Sequence, residues 1–296
     1  MNKVLDDVLQ GTDWWYARLY PGGVDRLDVA VATCLPPLAE LAAAEGADRW
    51  FFIQYTDWRG PHLRLRVHGP RRALDALHRR LPQIARDCEA IGRQAAPARS
   101  YLFPLDSRPF SGRHSGADAA VYEPEDTKYG GPAGTRLAEE VFQHSSELAL
   151  WACTRDRLPD RAAIAVLLLA ASAASLPQTT SQPHFWDRHL VWWTQEAGTS
   201  AETLRTRLHN DAEQDRRGIR EHIPSLAADP AVQRRLKEWT STLASYLAEA
   251  ERMEIPRSPG HLIFHQAHMM TNRLGILPRE EALLGIVARA VEGGEL

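Results

Sequence analysis

The stretch Gly60-Pro61-His62-Leu63-Arg64-Leu65-Arg66-Val67 alternates between polar and aliphatic side chains. A period of two predicts a β-strand that sends Arg64 and Arg66 to one face and the aliphatic side chains to the other. Two neighbouring guanidinium groups repel each other, so this face is either solvated or receives an anion such as a carboxylate. The local pattern leaves both alternatives open.

The segments around this strand predict a strand-rich amino-terminal half. Residues 50–55 read as a second strand, and the short Asp57-Trp58-Arg59-Gly60 turn predicts a hairpin between the two strands. Further strands are predicted over residues 14–20, 100–105 and 119–125. The intervening predictions are helices over 24–44 and from Pro70 to about 86, a mobile loop over 107–118 and a turn at 128–131.

From residue 132 onward the spacing of apolar residues is helical. Leu137, Val141, Leu148 and Trp151 mark one helix, and more are predicted over residues 161–176, 185–196, 201–222, 232–252, 259–274 and 278–291. Ser258 and Pro259 are typical of a capped helix start. We therefore expect one α+β domain over residues 1–296, with an antiparallel sheet in 1–131 and helices in 132–296.

Composition excludes several classes of function. The 296 residues carry a net charge of −3, which predicts no direct nucleic-acid partner and no membrane partner. The apolar run over residues 164–174 is too short to span a bilayer, and the first residues lack a signal-peptide core. Three isolated cysteines predict buried free thiols and a cytoplasmic location, and the abundant Ala, Leu and Arg are typical of a bacterial protein.

The helix predicted from Pro259 carries His261, His265, His268 and Asn272 on one face. Three interpretations are open for this stripe. Histidines four residues apart can share zinc, although the Glu of the metalloprotease motif is missing. They can be half-buried and satisfied by backbone and water, or one can be a general acid or base.

A third element runs from Glu123 to Gly131 and combines carboxylates, Lys128 and a paired glycine that permits close backbone approach. Its alternative interpretation is a solvated polar loop. The chain has no GxxxxGK[ST] loop and no GxSxG elbow, which argues against nucleotide hydrolysis and serine hydrolase chemistry. The pairs Trp14-Trp15 and Trp192-Trp193 fit either the core or a peptide groove.

Five motifs occur in a characteristic order. They are Trp15-Tyr16-Ala17-Arg18-Leu19-Tyr20, Trp50-Phe51-Phe52-Ile53-Gln54-Tyr55, Gly60-Pro61-His62-Leu63-Arg64-Leu65-Arg66, Tyr122-Glu123-Pro124-Glu125 with Tyr129-Gly130-Gly131, and His268-Met269-Met270-Thr271-Asn272-Arg273-Leu274. Together they resemble the glutamate-elimination domain of class I lantibiotic dehydratases, in the stand-alone form of thiopeptide-type biosynthesis.

The resemblance implies a lyase reaction on a ribosomal precursor peptide. A tRNA-Glu-dependent glutamylating dehydratase subunit, acting in trans, esterifies Ser or Thr side chains, and the elimination domain then removes glutamate to leave dehydroalanine or dehydrobutyrine. No cofactor and no metal are needed. The family motif makes His268, Arg64 and Arg66 the expected catalytic residues. Expected substrate-binding residues are Lys128, Asn272, Arg273, His62, Glu125 and Tyr129.

One departure from the family pattern concerns Lys128, where we expect an arginine before the Tyr-Gly-Gly turn. Lysine keeps the charge but loses the two-pronged guanidinium geometry. Two alternative functions stay open: a thiopeptide pyridine synthase, which joins two dehydroalanines in a formal [4+2] cycloaddition, and a non-catalytic precursor-binding subunit. The retained Arg64, Arg66 and His268 favour elimination. The sequence is compatible with a homodimer but does not specify one.

Overall fold

A computed structural model describes residues 13–95, 101–103, 112–153, 158–180, 182–215 and 217–294. It contains a four-stranded antiparallel sheet followed by mainly helical structure, which confirms the predicted α+β class. The chain divides into two compact units. Unit 1 comprises Met1–Pro97 and Ser107–Glu123, and unit 2 comprises Ala98–Asp106 and Pro124–Leu296.

The sheet of unit 1 has the strand order β2-β3-β1-β4. Its strands are β1 (Trp14–Pro21), β2 (Arg49–Asp57), β3 (Gly60–His68) and β4 (Ser115–Ala120). Strands β2 and β3 form the predicted hairpin, with Ile53 opposite Arg64 and Phe51 opposite Arg66. Because β3 pairs with a strand on each side, the position of its arginines is fixed by backbone hydrogen bonds at both edges.

The two faces of this sheet differ as the sequence predicts. Leu63, Leu65 and Val67 are almost fully buried on the aliphatic face. Helix α1 (Leu27–Ala44) packs on β3, and helix α2 (Arg71–Arg93) packs on β1 and β4. Helix α2 continues past its predicted end near residue 86. With the aliphatic side chains in the core, the arginines of β3 project from the opposite face.

The segment Val24–Ala44 is long and apolar enough to cross a membrane by length and composition, with a mean hydropathy of 1.4. A core helix of a soluble protein meets the same criteria. Leu27, Val31 and Leu35 of this segment are buried, and α1 packs on α2 as well as on β3. These contacts make α1 a core helix of unit 1.

Several predictions near β4 are wrong. Residues 115–118, predicted as loop, belong to β4, whereas residues 121–125, predicted as strand, have no regular structure. The sequence Ser-Gly-Ala-Asp-Ala-Ala has weak strand propensity. It forms a strand because its backbone pairs with the edge of β1. Residues 101–103 are not a strand; the rest of the strand predicted over 100–105 and loop residues 107–111 lie outside the described residues.

Unit 2 is built from helices around a buried central one. Its helices are α3 (Asp126–Tyr129), α4 (Pro132–Cys153), α5 (Leu158–Ala174), α6 (Gln182–Thr194), α7 (Ala201–Glu213), α8 (Ile219–Ala228), α9 (Pro230–Arg252), α10 (Pro259–Arg273) and α11 (Pro278–Glu292). Residues 162–170 of α5 are buried, and α5 contacts α8, α9, α10 and α11.

Two local predictions in unit 2 need correction. The single helix predicted over residues 201–222 is divided into α7 and α8, because Asp215 and Gly218 adopt left-handed backbone angles with φ of 39° and 64°. The turn predicted at 128–131 begins as the helical turn α3, which ends at Gly130 with φ of 85°. The predicted cap of α10 is confirmed, since Ser258 Oγ accepts a hydrogen bond from the His261 backbone N–H.

Candidate active site

The sheet of unit 1 presents a face of three arginines, one more than predicted. Arg18 on β1 lies directly opposite Arg64 on β3, and Tyr16 lies opposite Arg66. We call Arg18, Arg64 and Arg66 the arginine face. Since the side chains of β1 and β3 alternate in register, all three guanidinium groups leave the same side of the sheet.

Arg64 and Arg18 are oriented by neutral groups. Arg64 Nε donates a hydrogen bond to His62 Nε2 at 3.2 Å, and its guanidinium carbon lies 3.4 Å from the centre of the Tyr55 ring. Arg18 Nε donates to the Tyr16 hydroxyl at 3.2 Å. These contacts fix the two side chains but do not neutralise their charge, which leaves the charge available to an anion.

His62 is fully buried beneath this face. Its Nδ1 donates to the Gly60 carbonyl at 3.0 Å, so the neutral ring has its lone pair on Nε2, where Arg64 donates. Burial lowers the pKa of His62 to about 4, and the nearby arginines act in the same direction. His62 therefore supports Arg64 as a neutral hydrogen-bond acceptor.

Arg66 is surrounded by aromatic rings. Its guanidinium carbon lies 4.9 Å from the centre of the Tyr16 ring, 5.6 Å from that of Phe51 and 5.1 Å from that of Tyr122. The side chain is 9% exposed. Stacking on ring faces suits the weakly hydrated guanidinium and holds it in place. The structure thus brings His62, Arg64 and Arg66 together as one group.

Three helices of unit 2 meet at a second charged group, formed by His189 of α6, His268 of α10 and Glu281 of α11. We call it the His–Glu–His cluster. His268 Nδ1 donates to Glu281 Oε2 at 2.8 Å, and His189 Nε2 donates to Glu281 Oε1 at 3.2 Å. Thr271 Oγ1 donates to Glu281 Oε2 at 2.7 Å. Glu281 thus receives hydrogen bonds on both oxygens.

The electrostatics of Glu281 follow from these partners. The side chain is fully buried, which by itself raises the pKa of the carboxyl group. The positive potential of His268 and the hydrogen bonds from both histidines outweigh that effect and lower the pKa to about 2. Glu281 is therefore a buried carboxylate at neutral pH.

The carboxylate determines which nitrogen of His268 can exchange a proton. With Nδ1 donating to Glu281, Nε2 is the ring atom left to accept or release a proton. The side chain of His268 is 19% exposed, and its ring lies 4.5 Å from that of Trp193. A carboxylate behind an accessible imidazole is the arrangement that orients a general base and stabilises its protonated form.

Gly285 makes room for the second imidazole of the cluster. It lies one turn after Glu281 in α11, and a Cβ atom at this position would come within 2.6 Å of the His189 ring. A side chain here would push the imidazole out of its place. Glycine at position 285 therefore leaves the space in which the His189 ring packs against α11.

Glu125, Lys128 and Tyr129 lie together around α3. Lys128 Nζ contacts Glu125 Oε2 at 2.5 Å and lies 5.8 Å from the centre of the Tyr129 ring, which is buried. His261 Nε2 donates to the Lys128 carbonyl at 2.8 Å, and Arg257 donates to the same carbonyl at 3.3 Å. Position 128 thus lacks the expected arginine, but the guanidinium group of Arg257 contacts the backbone carbonyl of Lys128.

The two remaining predicted site residues follow His268 in α10. Asn272 is half-buried one turn beyond His268. Arg273 is completely buried, its Nε donates to Ser146 Oγ at 3.0 Å, and its guanidinium carbon lies 5.0 Å from the centre of the Phe142 ring. Ser146 and Phe142 both belong to α4, so these contacts join α10 to α4 in the interior of unit 2.

Sequence reasoning missed Arg18, His189 and Glu281. The alternation of Tyr16, Arg18 and Tyr20 along β1 is a signal that would have found Arg18. Glu281 follows Glu280 near the start of α11 and looks like an ordinary acidic first turn. Among the described residues, no three His, Cys, Asp or Glu side chains are placed to hold one metal ion.

The arginine face and the His–Glu–His cluster define an α+β protein equipped for anion binding and for proton transfer. The sequence-family model that describes the carboxy-terminal region of lantibiotic biosynthesis dehydratases matches residues 14–291 of this chain. The chain therefore belongs to this family, which is tied to enzymes that modify ribosomally made peptides. No curated protein sequence matches the chain.

Solved structures give a consistent result. The tRNA-dependent lantibiotic dehydratase MibB from Microbispora sp. 107891 is 25% identical, with a TM-score of 0.61 over 96% of this chain and 28% of that chain. The present chain thus spans little more than a quarter of MibB.

Two further structures share the fold over almost their whole length. The pyridine synthase TbtD from thiomuracin biosynthesis is 20% identical, with a TM-score of 0.65 over 96% of this chain and 99% of that chain. TsrL is 17% identical, with a TM-score of 0.59 over 96% and 95% of the two chains.

Proposed function

We propose that the protein removes glutamate from glutamylated Ser or Thr side chains of a ribosomal precursor peptide, leaving dehydroalanine or dehydrobutyrine. The observation that carries this proposal is the buried carboxylate of Glu281 behind the accessible imidazole of His268. A β-elimination needs a base for the peptide α-proton, and this arrangement supplies one.

The proposed elimination transfers one proton to His268 and breaks one C–O bond. His268 Nε2 takes the α-proton, the electron pair forms the Cα–Cβ double bond, and the bond from Cβ to the ester oxygen breaks. Glutamate leaves as a carboxylate, and protonated His268 is stabilised by Glu281 until it returns the proton to solvent. Glu281 is a positioning residue, since it acts on the substrate only through His268.

Glutamate carries negative charge throughout this reaction and gains more as it leaves. The arginine face offers fixed guanidinium groups for these carboxylates, and Arg64 and Arg18 are oriented by neutral partners. Lys128 of α3 supplies a further cation for substrate binding, and Glu125 contacts its ammonium group. We propose that His62, Tyr129 and Asn272 support substrate binding and that Arg273 serves the packing of α10.

The proposal includes partners and location. We propose that a tRNA-dependent dehydratase subunit acting in trans glutamylates the precursor peptide; the similar structure MibB is itself a tRNA-dependent lantibiotic dehydratase. We further propose a cytoplasmic protein with no direct nucleic-acid or membrane partner. The reaction itself needs no cofactor, because the glutamyl ester is already a good leaving group.

A mass-spectrometric assay tests this function. The purified protein is incubated with a peptide carrying one glutamylated Ser, and with the same peptide unmodified as a control. Loss of glutamate with formation of dehydroalanine is expected only from the glutamylated peptide. A glutamylated peptide that is a substrate for a known elimination domain but stays intact here would refute the proposal.

A pyridine synthase is the second candidate, and the observation that favours it is Lys128, which replaces the arginine expected for glutamate binding. The same assay is run on a peptide with two dehydroalanines. Ring formation from that peptide, without glutamate loss from the first, would assign cycloaddition. Tight peptide binding with neither reaction would assign a non-catalytic binding subunit.

A further inference from the structure

A pocket of about 310 Å³ opens between α6 and the amino-terminal part of α10. It is distinct from the His–Glu–His cluster, although α6 and α10 contribute residues to both. Its walls include Trp192 on α6 and His261, Phe264 and His265 on α10. The proposed function assigns no role to this pocket.

The walls of the pocket are largely aromatic. Trp192 is 46% exposed, although it is a large apolar side chain. Its ring lies 5.4 Å from that of Phe264 and 6.2 Å from that of His265, both in edge-to-face geometry. An exposed ring braced from two sides offers a rigid face on which another flat ring can stack.

His265 supplies a polar atom within this aromatic wall. The residue is 7% exposed, and no hydrogen bond of its ring nitrogens is formed within the described part of the chain. Burial lowers the pKa of His265 to about 3, and His261 and Lys128 act in the same direction. The neutral imidazole therefore offers one donor and one acceptor to a ligand, and burying them without a partner would be costly.

Phe264 connects the pocket with His268. One side of its ring meets Trp192, which lines the pocket, and it stacks at 5.9 Å on Trp193, whose ring lies 4.5 Å from that of His268. A residue of a bound peptide seated in the pocket would thus be close in sequence to one that His268 acts on.

We infer that this pocket binds an aromatic side chain with a polar ring atom, supplied by the peptide substrate near the residue that reacts. The ring would stack on Trp192 and exchange one hydrogen bond with His265. The origin of the ring in the peptide rests on the proposed function, whereas the binding of an aromatic ring does not.

Ligand-observed NMR titration of the full chain with N-acetyl-tryptophanamide tests the pocket directly. We expect saturable binding that is stronger than that of N-acetyl-leucinamide. Trp192→Ala should weaken it about tenfold, and Trp192→Phe should retain most of it. Trp58→Ala is the matched control, because Trp58 is 88% exposed on the hairpin turn of unit 1.

His265→Phe separates stacking from hydrogen bonding. It should remove the preference for N-acetyl-tryptophanamide over N-acetyl-phenylalaninamide and leave stacking intact. Equal binding by Trp192→Ala and the wild type, or no saturable binding by a folded wild type, would overturn the inference. Saturable binding of N-acetyl-tryptophanamide without glutamate loss in the elimination assay would support the aromatic pocket and refute only the proposed function.

Discussion

The arginine face and the His–Glu–His cluster hold charge in opposite ways. Arg64 is oriented by a neutral imidazole and an aromatic ring, so its charge is not cancelled by these contacts. His268 instead contacts a buried carboxylate that lies within hydrogen-bond distance of two imidazoles. The first arrangement is suited to an external anion, and the second is suited to controlling where a proton sits.

Apart from His268, whose substitution is taken up last, Arg64→Ala is expected to have the largest effect and would sharpen this contrast. Loss of a guanidinium that stabilises departing glutamate should lower the rate of elimination by about 10²- to 10³-fold. Arg64→Lys keeps the charge and should lose less. The rate of glutamate loss is measured by mass spectrometry, with Arg71→Ala as the control, because Arg71 is exposed on α2 and paired with Asp75. Equal rates for Arg64→Ala and Arg71→Ala would show that the face is an ordinary solvated one.

Glu281→Gln should lower the elimination rate by about 10- to 100-fold while the fold is kept, which is the size of effect found for residues that hydrogen-bond and orient metal-binding histidines. The amide preserves shape but removes the charge that stabilises protonated His268. Thr271→Val removes one donor to Glu281 and leaves both imidazoles, so it should have a smaller effect. An unchanged ¹⁵N spectrum of the His268 imidazole in Glu281→Gln would contradict the positioning role.

Gly285→Ala tests the packing of the same cluster. Alanine favours a helix by about 1 kcal/mol over glycine, but its Cβ would come within 2.6 Å of the His189 ring. We expect a lower melting temperature and slower elimination. Gly260→Ala in α10 is the matched control, because its Cβ would meet only Thr180 Cγ2 at 3.7 Å. Equal melting temperatures for the two variants would show that His189 shifts without cost.

The smallest effects are expected in the pH dependence of stability. Burial lowers the pKa of His62 to about 4 and that of His265 to about 3, from 6.5. As the pH falls, these histidines are protonated in the unfolded chain near pH 6.5 but in the folded protein only near pH 4 and pH 3. The free energy of unfolding is therefore highest above pH 6.5 and decreases as the pH falls toward these values. Each histidine contributes a slope of at most about 1.4 kcal/mol per pH unit. Glu281 adds a further loss of folding stability as the pH falls from 4.5 to about 2, because its carboxylate is protonated earlier in the unfolded chain.

Denaturant titrations between pH 7 and 4 measure this dependence. His265→Phe should flatten the curve, whereas His78→Phe, at an exposed position of α2, should not. An equally steep curve in His265→Phe would mean that His265 is protonated in the folded protein.

The sequence predicted that Arg64 and Arg66 share one side of the sheet, because the signal for this is local. Alternation along β3 assigns Arg64 and Arg66 to one side, and the short turn before Gly60 determines the strand that pairs with it. The same logic applied to β1 would have added Arg18. Strand β4 was missed because pairing along an edge, rather than propensity, makes residues 115–120 a strand.

The cluster was predictable only in part. The spacing of the histidines placed them on one face of α10, but the structure gives each a different partner. His261 binds the Lys128 carbonyl, His265 lines the pocket, and His268 contacts Glu281. His189 and Glu281 reach His268 through the packing of three helices, which no local pattern encodes.

The most direct test of the central claim compares glutamate loss from one glutamylated peptide by the wild type and by His268→Ala. Circular dichroism and the melting temperature of both proteins establish that they are folded. We predict that the folded variant accumulates intact glutamylated peptide, with a rate about 10²- to 10⁴-fold lower, as expected for loss of a general base. A folded His268→Ala protein that eliminates glutamate at the wild-type rate would contradict the assignment of His268 as the base.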